Sequence, residues 1–102
     1  MNKDLMTLKI AGMKFHEGVD IIEDVHDDEE LTLILEPDNK FDRFAVKVMI
    51  EGTMLGYVPA THSKIISTLI ENNIKLEAFT TEVNPFNPPH EMVKFTISLA
   101  EV

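Results

Sequence analysis

Phe44-Ala45-Val46-Lys47-Val48-Met49-Ile50-Glu51-Gly52-Thr53-Met54-Leu55-Gly56-Tyr57-Val58-Pro59 holds two runs of strand-forming residues around a glycine turn. The first run, 44–51, is rich in β-branched side chains, and Glu51-Gly52-Thr53 supplies a tight hairpin into the second, 54–58. Pro59 closes that strand, having no N–H to give to a ladder. Just upstream, residues 31–36 read as a further strand that Pro37 stops, and Pro37-Asp38-Asn39-Lys40 has the side chains of a turn. Residues 5–11 alternate, with Met6, Leu8 and Ile10 opposed by Leu5, Thr7 and Lys9, so a strand wet on one face is expected up to Gly12. From Met13 to Glu30 the pattern loosens into an irregular connection with one short helical turn at 19–24; its acidic run Asp27–Glu30 reads as a solvated loop.

Downstream of Pro59, Thr61 is placed to cap a helix reaching about Asn72. Ile65, Ile66, Leu69 and Ile70 form its expected core stripe, Lys64, Thr68 and Glu71 face water, and Asn72-Asn73 ends it. Residues 75–83 and 92–100 alternate again and pair as antiparallel partners. Between them, Asn84-Pro85-Phe86-Asn87-Pro88-Pro89 is either an ordinary loop or an aromatic lip carrying Phe86. Six short strands with one helix after the fourth predict a mainly β fold: a small, strongly curved antiparallel sheet or partly open barrel, in a single domain over residues 1–102.

Composition narrows the chemistry. The 102 residues include no Cys, which excludes disulfides, thiolate metal sites and a cysteine nucleophile. Eighteen Asp and Glu against nine Lys and Arg give a formal charge of −9, which opposes nonspecific attraction to polyanions. No secretory hydrophobic region and no membrane-length apolar run is visible, so a cytoplasmic protein without a membrane partner is expected. His16, His26, His62 and His90 share no metal-ligand spacing, and the acids lack the order of a calcium loop. Ser63 and Ser67 flank no strained elbow, so no hydrolase triad is read beside His62. There is no Walker loop, zinc cluster or helicase motif. The reading is a noncatalytic module without cofactor or metal.

The stretch Leu35-Glu36-Pro37-Asp38-Asn39-Lys40-Phe41-Asp42-Arg43-Phe44-Ala45-Val46-Lys47-Val48 resembles the signature of HIRAN domains: acid, Pro, polar residues, aromatic-Asp, then an apolar strand. Gly52-Thr53-Met54-Leu55-Gly56-Tyr57-Val58-Pro59 looks like the family's second element. Gly12-Met13-Lys14-Phe15-His16-Glu17-Gly18 is similar to its first loop. The resemblance spans about residues 5 to 100. It implies an OB-like antiparallel β-barrel which, in fork-remodelling helicase-like proteins, recognises the 3′ end of single-stranded DNA; other members are fused to ATPase motors, nucleases or zinc modules. A single-stranded DNA end is therefore the implied ligand, DNA repair or replication-fork processing the implied setting, and a helicase or nuclease the implied protein partner.

Residue roles come with the resemblance. An end reader needs aromatic faces for bases, cations for phosphate and an acceptor for the terminal hydroxyl. Phe15 and Phe41 match the aromatics that stack the last bases, and Asp42 matches the acceptor. Lys14 corresponds to a phosphate contact, Asn39 to an amide donor to phosphate or base, and Tyr57 to a phenol or ring near the sugar-phosphate. Three positions depart from the family: Lys14 stands where DNA readers prefer Arg, Phe44 where Asn is common, and Ala60 where Lys can occur. Phosphate contacts are thinned accordingly, and binding is expected to be weak and steeply salt-dependent. Asp42 also reads as a turn acceptor for backbone N–H groups, Phe15 as a core residue, and Gly56 as a bend in the barrel. The alternative function is an acidic protein-interaction module whose surface from Glu17 to Glu30 recruits a basic partner or a helicase-like ATPase.

Overall fold

The computed structural model describes residues 3–15 and 18–100. Among them, β1 (Asp4–Lys9), β2 (Glu30–Leu35), β3 (Val46–Ile50), β4 (Thr53–Tyr57), β5 (Leu76–Val83) and β6 (Val93–Leu99) form one antiparallel sheet in the order β1-β6-β5-β2-β3-β4. Helix α1 (Gly18–Ile21) runs into a 3₁₀ turn at Ile22–Asp24, which accounts for the short helical turn expected there. Helix α2 (Ala60–Glu71) follows the fourth strand, as the order of sequence patterns requires.

Alternation builds the core. Val46, Val48 and Ile50 of β3 are buried, as is Ile10 after the half-buried Met6 and Leu8 of β1, while Leu5, Thr7 and Lys9 are exposed. Phe95 and Ile97 of β6, Leu55 of β4 and Ile66 of α2 complete the centre. Each such side chain contributes roughly 1.5–3 kcal/mol by leaving water. The β3–β4 hairpin turns through Glu51 and Gly52, both at positive φ (45° and 83°), so the two-residue turn has the twist that antiparallel strands favour.

The sheet curves without closing. Irregularities in register interrupt the β1–β6, β3–β4 and β5–β6 ladders, and the β2–β5 ladder has only two residue pairs, Glu30–Phe79 and Leu31–Ala78. Its two edges are brought together at one point, where Ala11 and Tyr57 exchange backbone hydrogen bonds of 2.9 Å in both directions. A partly open, OB-like barrel results.

Three sequence expectations change in detail. Helix α2 begins at Ala60 behind Pro59, with no side-chain cap, and the Thr61 hydroxyl instead meets His62 Nδ1 at 2.9 Å. Proline's fixed φ already sets the chain for a helix, and its carbonyl accepts the His62 N–H at 2.8 Å. The buried face overlaps the Ile65–Ile70 stripe only in part: Ile66 is buried together with Ser63 and Ser67, Leu69 and Ile70 are half-buried with Ile70 packed against the core, and Ile65 is exposed. Small hydroxyl residues spaced with Ile66 occupy one helical face; the Ser67 hydroxyl donates to the Lys64 carbonyl three residues back, whereas that of Ser63, 3.2 Å from the Ala60 carbonyl, makes its shorter bond of 2.7 Å to Asp42. The acidic run, finally, is more than a solvated loop. Asp27, Asp28 and Glu30 are exposed, but the buried Thr80 of β5 accepts the Glu29 N–H and donates to the His26 carbonyl, stitching the run to the sheet. At the other end of α2, Asn73 takes positive φ (64°) and closes the helix as the Asn-Asn pair suggested.

Candidate nucleic-acid interface

The site is built on the connection between β2 and β3. Its ends are pinned by the Glu36 N–H to the Ala45 carbonyl (2.9 Å), and its turns by Asn39 N–H to Glu36 and Ala45 N–H to Asp42 (3.1 and 3.0 Å). Asn39 organises the middle. Its side-chain oxygen accepts the N–H groups of Phe41 and Asp42 at 2.8 and 3.0 Å, while its nitrogen donates to Glu36 Oε1 at 2.7 Å and lies 3.4 Å from the Tyr57 hydroxyl. With both ends of its amide engaged, Asn39 shapes the turn that presents Phe41.

Tyr57, at the end of β4, donates its hydroxyl to the same Glu36 oxygen at 2.7 Å. The other Glu36 oxygen lies 3.8 Å from Lys47 Nζ. Burial first, then the hydrogen bond and negative charge of Glu36, push the Tyr57 phenol above its ordinary value of 10.0, with Asn39 pulling the other way. The phenol thus stays protonated and held at neutral pH. Glu36 is a member of this network that the site assignment from sequence omitted; its signal was the acid immediately before Pro37.

Asp42 is held from two sides. Its Oδ1 accepts the Phe44 N–H at 2.8 Å and its Oδ2 accepts the Ser63 hydroxyl of α2 at 2.7 Å. The turn-acceptor role read from sequence is present, and Ser63 ties it to the helix. Each carboxylate oxygen keeps a second lone pair, and the side chain is only partly buried. Phe41, in contrast, is 98% exposed, with nothing but its backbone anchored.

Ala11, Gly12, Asn39, Phe41, Asp42, Ala45, Tyr57, Val58 and Ala60 enclose a mostly apolar hollow of about 260 Å³. Gly12 is shared with a second hollow of about 190 Å³, whose other walls are Met13, Phe15, Pro89 and His90. Phe15 is 74% exposed, so it is not the core residue that its place after a strand allowed. Phe86, in the 84–89 loop, is also exposed. The floor depends on Gly56: a Cβ there would strike the Ala11 carbonyl oxygen and lie 2.7 Å from Ile10 Cγ2. Glycine there permits close backbone approach, at the place where the β3–β4 register is irregular. The structure thus groups Asn39, Phe41, Asp42 and Tyr57 round one hollow and puts Phe15 on its neighbour; the Lys14 side chain lies outside the described residues. Phe44 was read as the start of a strand and as a departure from the family's Asn, and Lys64 only as water-facing. Both lie beside the site, with Arg43 Cζ 4.8 Å and Lys64 Nζ 5.5 Å from the Phe44 ring centre.

Comparison with known proteins bears directly on this arrangement. The model of the HIRAN domain matches residues 4–100. The chain belongs to the HIRAN domain family. This is a family of nucleic-acid-binding modules. The crystal structure of the HIRAN domain of human HLTF superposes with a TM-score of 0.75 at 18% identity, covering 92% of this chain and 73% of that one. A crystal structure of a protein from Lactobacillus plantarum gives a TM-score of 0.77 at 19% identity, over 96% of this chain and 97% of the other. In sequence, the Fanconi-associated nuclease 1 homolog of Oryza sativa subsp. japonica is 30% identical over 76 residues. That stretch is 71% of this chain and 8% of the rice protein. No helix among the described residues is long and apolar enough to cross a membrane.

Proposed function

We propose that this HIRAN domain binds the 3′ end of single-stranded DNA. Phe41 stacks on the terminal base in the larger hollow, and Phe15 serves the preceding base in the smaller one. Asp42 accepts the terminal hydroxyl through a free lone pair; a 3′-phosphate in that place meets like-charge repulsion. Lys14 contributes a phosphate contact. Asn39 and Tyr57 act at one remove, by holding the turn and the wall of the hollow. The observation that carries this reading is the pairing of a fully exposed phenylalanine with a carboxylate immobilised on two donors, at the mouth of an apolar hollow.

Within the site turn the acids Glu36 and Asp42 are engaged with Asn39, Tyr57, Phe44 and Ser63, and the densest acidic run of the −9 chain lies elsewhere. The run Asp27–Glu30 enters β2 at one end, whereas the site turn leaves it after Leu35. At about 3.3 Å per residue the separation is on the order of 17 Å, beyond the ~8–10 Å screening length at physiological salt. Binding is accordingly weak, local and salt-sensitive. A setting in DNA repair or fork processing, alongside a nuclease or helicase, is part of the proposal; the nuclease named among its relatives supports it.

Fluorescence anisotropy with short DNAs differing only in a 3′-hydroxyl or 3′-phosphate tests the reading. Phe41→Ala is expected to weaken binding about 5- to 150-fold, the loss of one base stack of roughly 1–3 kcal/mol, while leaving stability within about 0.5 kcal/mol. Asp42→Ala is expected to erase the preference for the hydroxyl end. Losses below twofold in both variants refute the site.

A second reading is favoured by one specific feature. At the far end of α2, a groove of about 460 Å³ is lined by Glu30, Leu33, Ile70, Ile74 and Glu77 among others, where β2 and β5 part. Its acids and apolar floor suit a basic protein segment. Charge reversal at Glu30 and Glu77, with the Phe41 turn intact, abolishes association if that reading holds.

A further inference from the structure

We infer that Arg43 and Lys64, gathered on the ring of Phe44, form a clamp for one phosphodiester of the bound strand. The inference rests on the end-binding proposal above and specifies the phosphate contact within it. Both cations approach the same ring, at 4.8 and 5.5 Å from its centre, so their charges lie no more than about 10 Å apart, about one screening length in physiological salt. Neither has a carboxylate partner among the described residues, whereas Lys9, Lys47 and Lys94 are matched with Glu91, Glu36 and Glu82. In a chain with twice as many acids as bases, two exposed cations held on one ring, with no carboxylate partner among the described residues, are an arrangement an anion would relieve.

The site's own scaffold puts them there. Asp42 Oδ1 takes the N–H of Phe44, and Asp42 Oδ2 takes the hydroxyl of Ser63, the residue before Lys64. One carboxylate therefore fixes both the ring and the helical turn that supply the clamp. The ring's negative face attracts each cation and restricts its swing, which lowers the entropy lost when an anion is gripped. A phosphodiester fits by chemistry: the guanidinium of Arg43 can donate to both non-bridging oxygens while the Lys64 ammonium adds a point charge. Phe44 stands where the family commonly has Asn, so the departure that thins one set of contacts creates another. Arg43 follows Asp42 directly, which places the clamp one residue from the hydroxyl acceptor and suits a phosphate inside the strand.

Two measurements decide it. In the first, 5′-labelled oligothymidylates are titrated over a range of salt with wild type, Arg43→Gln, Lys64→Gln, the double variant and Phe44→Leu. The double variant is expected to bind more weakly, with a slope of log affinity against log salt shallower by about 0.7, one phosphate's worth on a single strand. It keeps the wild-type preference for the 3′-hydroxyl. Phe44→Leu, which retains both charges and loses the ring, weakens binding by less than the double variant. In the second, dimethyl phosphate is titrated into the wild type with the side-chain NMR signals of Arg43 and Lys64 as readout; both are expected to shift, and more than with acetate. A wild type that binds no oligonucleotide refutes the end-binding reading and leaves the clamp to be judged by dimethyl phosphate alone. An unchanged salt slope in a double variant that still binds, no shift at either side chain, or an equal response to acetate overturns the clamp.

Discussion

Replacing Gly56 by Ala puts one methyl group where the barrel's two edges meet, and the cost can be worked from the contacts. The new Cβ would collide with the Ala11 carbonyl oxygen and lie 2.7 Å from Ile10 Cγ2, and the obstructing oxygen belongs to backbone that cannot swing aside. Relief requires the Ala11 segment to move off β4, which breaks the two 2.9 Å hydrogen bonds between Ala11 and Tyr57. Two such bonds are worth roughly 0.5–1.5 kcal/mol each, and overpacking adds about 1–3 kcal/mol. A total of about 2–6 kcal/mol is a large share of the roughly 5–15 kcal/mol that stabilises a typical domain. At about 4–8 °C per kcal/mol, Tm should fall by at least about 8 °C in a thermal melt followed by circular dichroism. Gly12→Ala is the control. Gly12 has positive φ (71°), yet an added Cβ would meet nothing nearer than the Tyr57 ring at 3.9 Å, so its cost is the backbone penalty of roughly 1–2 kcal/mol. A Gly56→Ala protein that melts within about 4 °C of wild type, or no lower than Gly12→Ala, refutes the claim that close backbone approach forms the floor of the site.

Two further predictions concern the network around the site. Ser63→Ala removes a buried hydroxyl that donates to Asp42, a hydrogen bond to a charged acceptor worth about 1.5 kcal/mol at the low end expected for a partly hydrated carboxylate, so Tm should drop by about 6–12 °C; it should also weaken the preference for a 3′-hydroxyl, and a variant with unaltered Tm and end preference contradicts the tie between turn and helix. Tyr57, the chain's one tyrosine, should titrate in the ultraviolet above its ordinary 10.0, and Glu36→Gln should move the inflection down. Because the folded phenol holds its proton more tightly than the unfolded one, its contribution to stability is complete below pH 10.0 and is lost as the pH rises through the folded value. An inflection below 10.0 would contradict the contact with Glu36.

Much of the fold was legible in the residue order because its signals are local. Alternation marked the buried faces of β1 and β3, Glu51-Gly52 specified a turn with two positive φ angles, and Asn72-Asn73 specified a helix end, each through chemistry within a few residues of chain. The aromatic-Asp turn was recognisable for the same reason: Asn39 bonds the N–H groups two and three residues on, and Asp42 the one two residues on. The helix showed the limit of that reasoning. Four apolar residues implied a stripe, but the face turned inward carries Ile66 between Ser63 and Ser67 and leaves Ile65 in water.

What only the tertiary structure decided are the meetings of residues far apart in sequence. Ser63 reaches Asp42, Tyr57 reaches Glu36, Lys64 joins Arg43 on Phe44, and Gly56 admits the backbone of Ala11. None of these pairings has a period or a turn signature. Each depends on how far the sheet curves and where the helix lies across it, and those follow from packing summed over the whole core. Sequence therefore determined which residues were candidates for the site, and the curvature of the sheet decided which of them stand exposed at the hollow and which hold the others in place.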